Sequence, residues 1–255
     1  MGISGTAVYV LWLREMKRYV RAKSRIVGSL VQPLFFLAFL GLGFNRMAVP
    51  GVASGVDYIH FLVPGIIGMS LLFSSSMQGL SVLWDREFGF LKEIMVAPVS
   101  RLSIVLGRIA GGTTTALIQA ALVLVVSMAL GFRVGSLPGF GLGLVFMVLI
   151  AFAFIGMGLI FASRMKDMQG FGLIMNFVIF PLFFLSGALY PLKNLPVPVR
   201  VLSLLDPLTY GIDGLRGCFI GSAERPILLD LAALSGFAVL MLVLGAYFFE
   251  KSESI

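Results

Sequence analysis

Six stretches of the chain, at roughly 26 to 46, 58 to 82, 102 to 131, 138 to 162, 171 to 191 and 227 to 249, stay apolar for about 20 residues or more. At a rise of 1.5 Å per residue, such a run crosses a hydrocarbon core of about 30 Å. Hydrocarbon offers no water to backbone amides and carbonyls, so only helices and closed barrels can span it. Barrel strands alternate in polarity over about 10 residues, and these runs do not. The expected fold is therefore all-α and integral to the membrane, a single transmembrane domain over residues 1–255 with six spanning helices. Composition agrees, with 59% hydrophobic residues, 12% charged residues and a mean hydropathy of +1.03, beyond the range of soluble domains.

The third and fourth runs are separated only by the tight FRVGSLP turn, punctuated by Gly135 and Pro138, so they form an antiparallel hairpin. An even number of spans puts both termini on one side. Charge selects the side. With the N-terminus inside, Arg14, Lys17, Arg18, Arg21, Lys23, Arg25, Arg86, Lys92, Arg101, Arg108, Arg164, Lys166 and Lys251 are cytoplasmic. Only Arg46, Arg133, Lys193, Arg200, Arg216 and Arg225 are then outside, which favours cytoplasmic termini. The net charge of +7 is read as topology and attraction to anionic membrane lipids, and no nucleic-acid partner is expected. Before the first span, Arg14, Lys17, Arg18, Arg21 and Arg25 share a helical face opposite Val8, Trp12, Met16 and Tyr19. That pattern describes residues 4–24 as an interfacial helix and also serves as a positive-inside anchor; no cleavage site follows it.

Cys218 is alone and His60 is the only histidine. No disulfide, metal site or catalytic residue is therefore expected, since zinc-protease chemistry needs a second histidine. No lysine follows a glycine anywhere, so the phosphate-binding loop GxxxxGK[ST] is missing from the sequence. The chain is not expected to be an enzyme or to bind a cofactor itself. If ATP drives it, another chain supplies the ATPase.

Residues 84 to 101, WDREFGFLKEIMVAPVSR, form a charged interlude between two apolar runs. At 100° per residue Trp84, Phe88, Leu91 and Met95 make one stripe, widened by Phe90 and Ile94, with Asp85, Arg86, Lys92 and Glu93 opposite. Glu87 falls inside the apolar face, where a carboxylate needs a partner. Pro98 ends the helix, expected over 84–98. Within the spans the polar residues are few: Ser70, Ser74, Ser75, Ser76, Gln78, Ser81, Thr113, Thr114, Thr115, Gln119 and Asn176. They read first as packing groups between helices. Ser74, Gln78, Thr114, Gln119 and Asn176 are the candidates for a translocation path. The clear mid-span stretches hold no carboxylate of the kind an ion-coupled carrier uses. Gly107 with Gly111, and Gly139 with Gly143, make GxxxG spacings, although 30 glycines produce such matches readily. Residues 191 to 226 are too apolar for a solvated loop and too broken by proline to span. They are read as short helices dipping into the outer leaflet, with Asp206 as an N-cap before Pro207 and Asp213 paired to Arg216. Tyr210, Asp213 and Arg216 are the candidate cap residues; the bland alternative is an irregular seal on the bundle.

Taken in order, these features resemble the type 2 ABC exporter permeases, in particular the daunorubicin-resistance and nodulation-factor export branch. The resemblance covers essentially the whole chain, and REFGFLKEIMVAPVSR and the stretch from FPLFFLSGALYPLKNLP to LLDPLTYGIDGLRG carry it most specifically. It implies that Arg86, Glu87, Phe88, Phe90, Leu91, Lys92 and Glu93 belong to a coupling helix seated in a separate P-loop ATPase subunit, which would bind ATP and Mg. It also implies re-entrant outer helices near 193–220, a second copy or homologous permease as partner, and outward movement of a drug, lipid, glycolipid or polysaccharide across a bacterial or archaeal inner membrane. Two other classes compete: an ATP-independent carrier or channel, and a non-transporting scaffold that recruits an ATPase.

Overall fold

The computed structural model describes residues 4–44, 57–88, 100–165 and 167–252. The described residues are helical apart from short turns. In chain order the elements are α1 (Gly5–Arg21), α2 (Lys23–Phe36, continued by a π-helical turn Leu37–Leu42), α3 (Tyr58–Ser76) and α4 (Gln78–Glu87). They are followed by α5 (Arg101–Ala129), α6 (Leu137–Arg164), α7 (Met168–Leu185), a 3-10 turn Leu192–Asn194, α8 (Val197–Leu205), α9 (Pro207–Ile220) and α10 (Ile227–Ser252). Five of the helical stretches are long and apolar enough to cross a membrane, and a sixth span is counted if α1 and α2 are taken together across their 71° bend. The chain is a multi-pass membrane protein.

Helices α3 with α4, α5, α6, α7 and α10 lie over five of the expected spans, and α2 over the described part of the first, where it reaches span length only together with α1. Ser4, Ser100 and Ser136 cap α1, α5 and α6 by accepting from the amides of Ala7, Ser103 and Gly139. Such caps supply acceptors to first-turn amides that have no partner within the helix. The second span is longer than the sequence reading. It breaks at Met77 and resumes as α4, which packs on α6 and α7 and runs to Glu87.

Helices α3, α6, α9 and α10 form the centre, and α6 touches each of the other three. Gly139 and Gly143 bring α6 against Cys218 and Phe219 of α9, Gly156 brings it against Met241 of α10, and Gly158 brings it against the Ser76 carbonyl of α3. Gly107 and Gly111 do the same for α5 and α1, where an added Cβ would lie 2.7 Å from Leu11 Cβ and 2.8 Å from Glu15 Cβ. Both GxxxG spacings are therefore close helix contacts. The α5–α6 turn is pinned by the Gly135 amide, which donates to the Phe219 carbonyl at 2.8 Å, and by the buried ring of Phe132.

A matched pair of substitutions tests this packing. Gly158→Ala sets a methyl against the Ser76 carbonyl and is expected to destabilise the protein by about 1–3 kcal/mol. Gly141→Ala on the same helix meets no atom within 4 Å and should leave the melting temperature in detergent unchanged or raised.

Candidate functional site: a charged junction, a polar cavity and a buried cap

At one end of the bundle a single carboxylate joins three helices. Asp85, in the last turns of α4, is only 6% exposed. It accepts from both terminal nitrogens of Arg14 on α1, at 2.6 and 3.3 Å, and from Arg108 on α5 at 2.8 Å. Arg108 also lies over the Phe249 ring near the end of α10, and Arg18 lies over the indole of Trp84. A buried carboxylate held by two guanidinium groups is tolerated because each charge has a partner and hydrogen bonds of good length.

This junction fixes which way the faces of the helical wheel turn over residues 84–88. Asp85 faces inward, whereas Trp84 is 36% exposed, Glu87 is exposed and Phe88 is 77% exposed. The wheel weighed only apolarity; here the attraction of two arginines turns the acidic side of α4 toward the bundle and leaves the aromatic side outward. Residues 84–87 form the end of α4, which continues the second span from Gln78. Glu87 and Phe88 are the described members of the expected coupling set, beside the backbone of Arg86. The side chain of Arg86, with Phe90, Leu91, Lys92 and Glu93, lies outside the described residues.

Next to the junction is a cavity of about 260 Å³ between α1, α2, α3, α4 and α5, lined by Glu15, Tyr19, Ser29, Gln32, Phe73, Ser74, Met77, Gln78, Leu80, Thr115 and Gln119. Of the candidate path residues it brings together Ser74, Gln78 and Gln119. Thr114 is elsewhere, accepting from the indole N–H of Trp12 at 3.0 Å and so fastening α1 to α5. Asn176 is on the exposed face of α7 beside Leu173 and Phe177. The Gln119 amide donates to the Ser29 carbonyl at 3.0 Å. That carbonyl is four residues before Pro33, which has no N–H to offer it. Gln78 donates to the Thr115 hydroxyl at 2.9 Å.

At the opposite end, α8 and α9 form the expected pair of short helices. Asp206 caps α9, accepting from the Leu208 amide at 2.9 Å, and Tyr210 donates to the Leu204 carbonyl at 2.7 Å. Gly221 closes α9 with φ 68°, a conformation that suits glycine at this position. The expected Asp213–Arg216 pair does not form. Arg216, 5% exposed, donates to the carbonyls of Phe61, Gly187 and Ala188 at 3.2, 2.7 and 3.2 Å and stacks 3.7 Å over the Phe61 ring. Carbonyls released where α7 ends have no water to turn to, and the five donors of a guanidinium answer several at once. Asp213 instead accepts from the amides of Glu224 and Arg225 at 2.8 and 3.0 Å, with the Arg225 guanidinium 3.6 Å away. The lone histidine, His60, is half-buried beside Phe132. Among the described residues no three His, Cys, Asp or Glu side chains gather as a metal ion would require.

Sequence reasoning missed the junction. Asp85 and Arg108 were visible only as a charge on a wheel and a basic residue near a span end. The usable signal was Arg108 itself, seven positions into an apolar run, where an arginine calls for a carboxylate.

The fold and these features describe a multi-pass, membrane-embedded helical bundle with a helical cap at one end and a charged junction at the other. The ABC-2 type transporter family pattern matches residues 6–220. Inner membrane transport permease YadH of Escherichia coli is 30% identical over 243 residues, covering 94% of this chain and 93% of its own length. Nodulation protein J of Sinorhizobium fredii is 26% identical over 244 residues, covering 94% and 92%, and that of Rhizobium meliloti is 29% identical over 232 residues, covering 90% and 87%. The chain belongs to the ABC-2 type transporter family, as a transmembrane component of an ABC transport system and not itself an enzyme.

Two substitutions test the polar anchors. Asp85→Ala leaves Arg108 buried without its carboxylate and is expected to cost about 3 kcal/mol, while Asp85→Leu combined with Arg108→Met recovers much of the loss; thermal unfolding in detergent reads both. Arg14 adds less, because it is partly exposed. Arg216→Met strips three carbonyls of a donor and should cost about 3 kcal/mol, with Arg216→Lys restoring only part, since one ammonium cannot reproduce the guanidinium fork.

Proposed function

We propose that this chain is the permease subunit of an ATP-driven exporter in the cytoplasmic membrane of a bacterium or archaeon, with both termini cytoplasmic. Two copies, or one copy and a homologous permease, pack around a shared path, and two separate P-loop ATPase subunits carrying ATP and Mg bind beneath. The cargo is an amphipathic or hydrophobic molecule: a drug, a lipid, or a glycolipid or polysaccharide. The similarity to YadH, an inner membrane transport permease, supports the location.

The observation that carries this reading is the Asp85 junction. It stands immediately before the segment that resembles a coupling helix and ties α4 to α1 and α5. ATP binding draws the ATPases together; force applied at residues 87–98 passes into α4, and the clamp makes α1, α4 and α5 move as a body. The exposed ring of Phe88 and the exposed carboxylate of Glu87 stand where a cytoplasmic partner would meet them.

Affinity purification from the native membrane, followed by mass spectrometry, should recover a soluble P-loop ATPase in near-equal amount. Its absence in gentle detergent, together with transport that persists without nucleotide, would overturn the reading in favour of an ATP-independent carrier; a bound ATPase with no transport would favour a scaffold. In reconstituted vesicles Glu87→Ala and Phe88→Ala should lower cargo-stimulated ATPase activity several-fold while membrane insertion is unchanged.

A further inference from the structure

The polar cavity beside the junction has a chemistry of its own. Its wall carries Glu15, Tyr19, Gln32, Ser74, Gln78 and Gln119, with Phe73 and Met77 as apolar surface. Polar groups at membrane depth need partners, and the Tyr19 hydroxyl, buried, has none among the described residues. The amide nitrogens of Gln78 and Gln119 are already committed to Thr115 and Ser29, so their amide oxygens hold the larger unused capacity. The cavity therefore offers several acceptors and a few hydroxyl donors. Among the described residues no lysine or arginine lines it, and the one formal charge on that lining is the Glu15 carboxylate, 4.0 Å from Arg18.

The other side of α1 is the reverse. There Lys17 and Arg21, with Arg14 and Arg18 that also reach Asp85 and Glu15, line a separate groove with no acidic residue among its described lining. One helix thus divides a surface suited to anionic head groups from a cavity that repels them.

We propose that the cavity binds the uncharged, hydroxyl- or carboxamide-bearing head of an amphipath drawn from the cytoplasmic leaflet, such as a single sugar ring, and rejects phosphate heads. Its volume of about 260 Å³ has room for a single ring. The ring hydroxyls donate to Glu15 and to the glutamine oxygens and accept from Tyr19, while the acyl chains stay in the bilayer. The site deepens the exporter reading and rests on it for the fate of the bound molecule.

The test uses the permease with its ATPase subunit in lipid nanodiscs. Ser74→Cys is introduced on a Cys218→Ser background, and its alkylation by a maleimide is timed with monoglucosyl-diacylglycerol or phosphatidic acid of the same acyl chains at equal mole fraction. The glucolipid should slow alkylation at least about fivefold, the order one net hydrogen bond confers, and phosphatidic acid should not. Gln32→Cys, tested the same way, guards against a folding defect at Ser74, and Gln32→Leu should remove most of the protection of Ser74→Cys. Equal slowing by both lipids, or none by either at both cysteines, overturns the proposal. ATPase activity in the same discs separates the two readings. Protection without stimulation upholds the site and counts against export of that lipid class; stimulation without protection upholds export and overturns the site.

Discussion

Helices in hydrocarbon gain nothing by hiding apolar side chains from one another, so their association depends on how closely backbones can approach. Helix α6 meets that constraint for the whole bundle. Gly139 and Gly143 admit α9, Gly156 admits α10, and Gly158 admits the carbonyl of Ser76 on α3. The other helices are arranged around these approaches. Because α9 is seated on α6, the cap stays docked; because α3 is seated on α6, the break at Met77 falls where α4 can continue along α6 and α7.

The same absence of water governs every irregularity. Where Pro33 leaves the Ser29 carbonyl without its helical donor, Gln119 of another helix supplies one. Where α7 ends inside the bundle, Arg216 takes up the carbonyls of Gly187 and Ala188. Asp85 is buried only because Arg14 and Arg108 meet it. Polar residues that look like a list of candidates for transport therefore divide into two kinds. Thr114 and Arg216 hold helices together, Gln119 does so while also facing the cavity, and Ser74 and Tyr19 face it with no side-chain hydrogen bond to another helix among the described residues.

That the chain spans a membrane as several helices was legible from apolar run length alone, because 20 apolar residues in lipid leave the backbone one solution. Asp206 as a cap was legible too, since an aspartate before a proline that opens a helix has a local reason to be there. The partner of Arg216 was not. Spacing of three along a helix proposed Asp213, but the choice was made by carbonyls 28 and 155 residues away. Which face of residues 84–88 turns inward was hidden for a related reason: a wheel separates the faces, whereas the orientation of α4 follows a charge contact with two distant helices. Cavity membership was likewise hidden, for Thr114 and Thr115 are neighbours in sequence and fall on opposite duties.

The sequence by itself determined that this protein spans a membrane several times as helices, that an amphipathic basic helix precedes the first span, that a proline-broken segment precedes the last, and which family it resembles. Those properties follow from local composition and period acting on each segment in a solvent without hydrogen bonds. Tertiary structure decided which polar groups meet: Asp85 with Arg14 and Arg108, Arg216 with the end of α7, Tyr19 and Gln78 around one cavity. Such meetings depend on angles and distances between helices far apart in the chain, and no period or spacing within one helix encodes them.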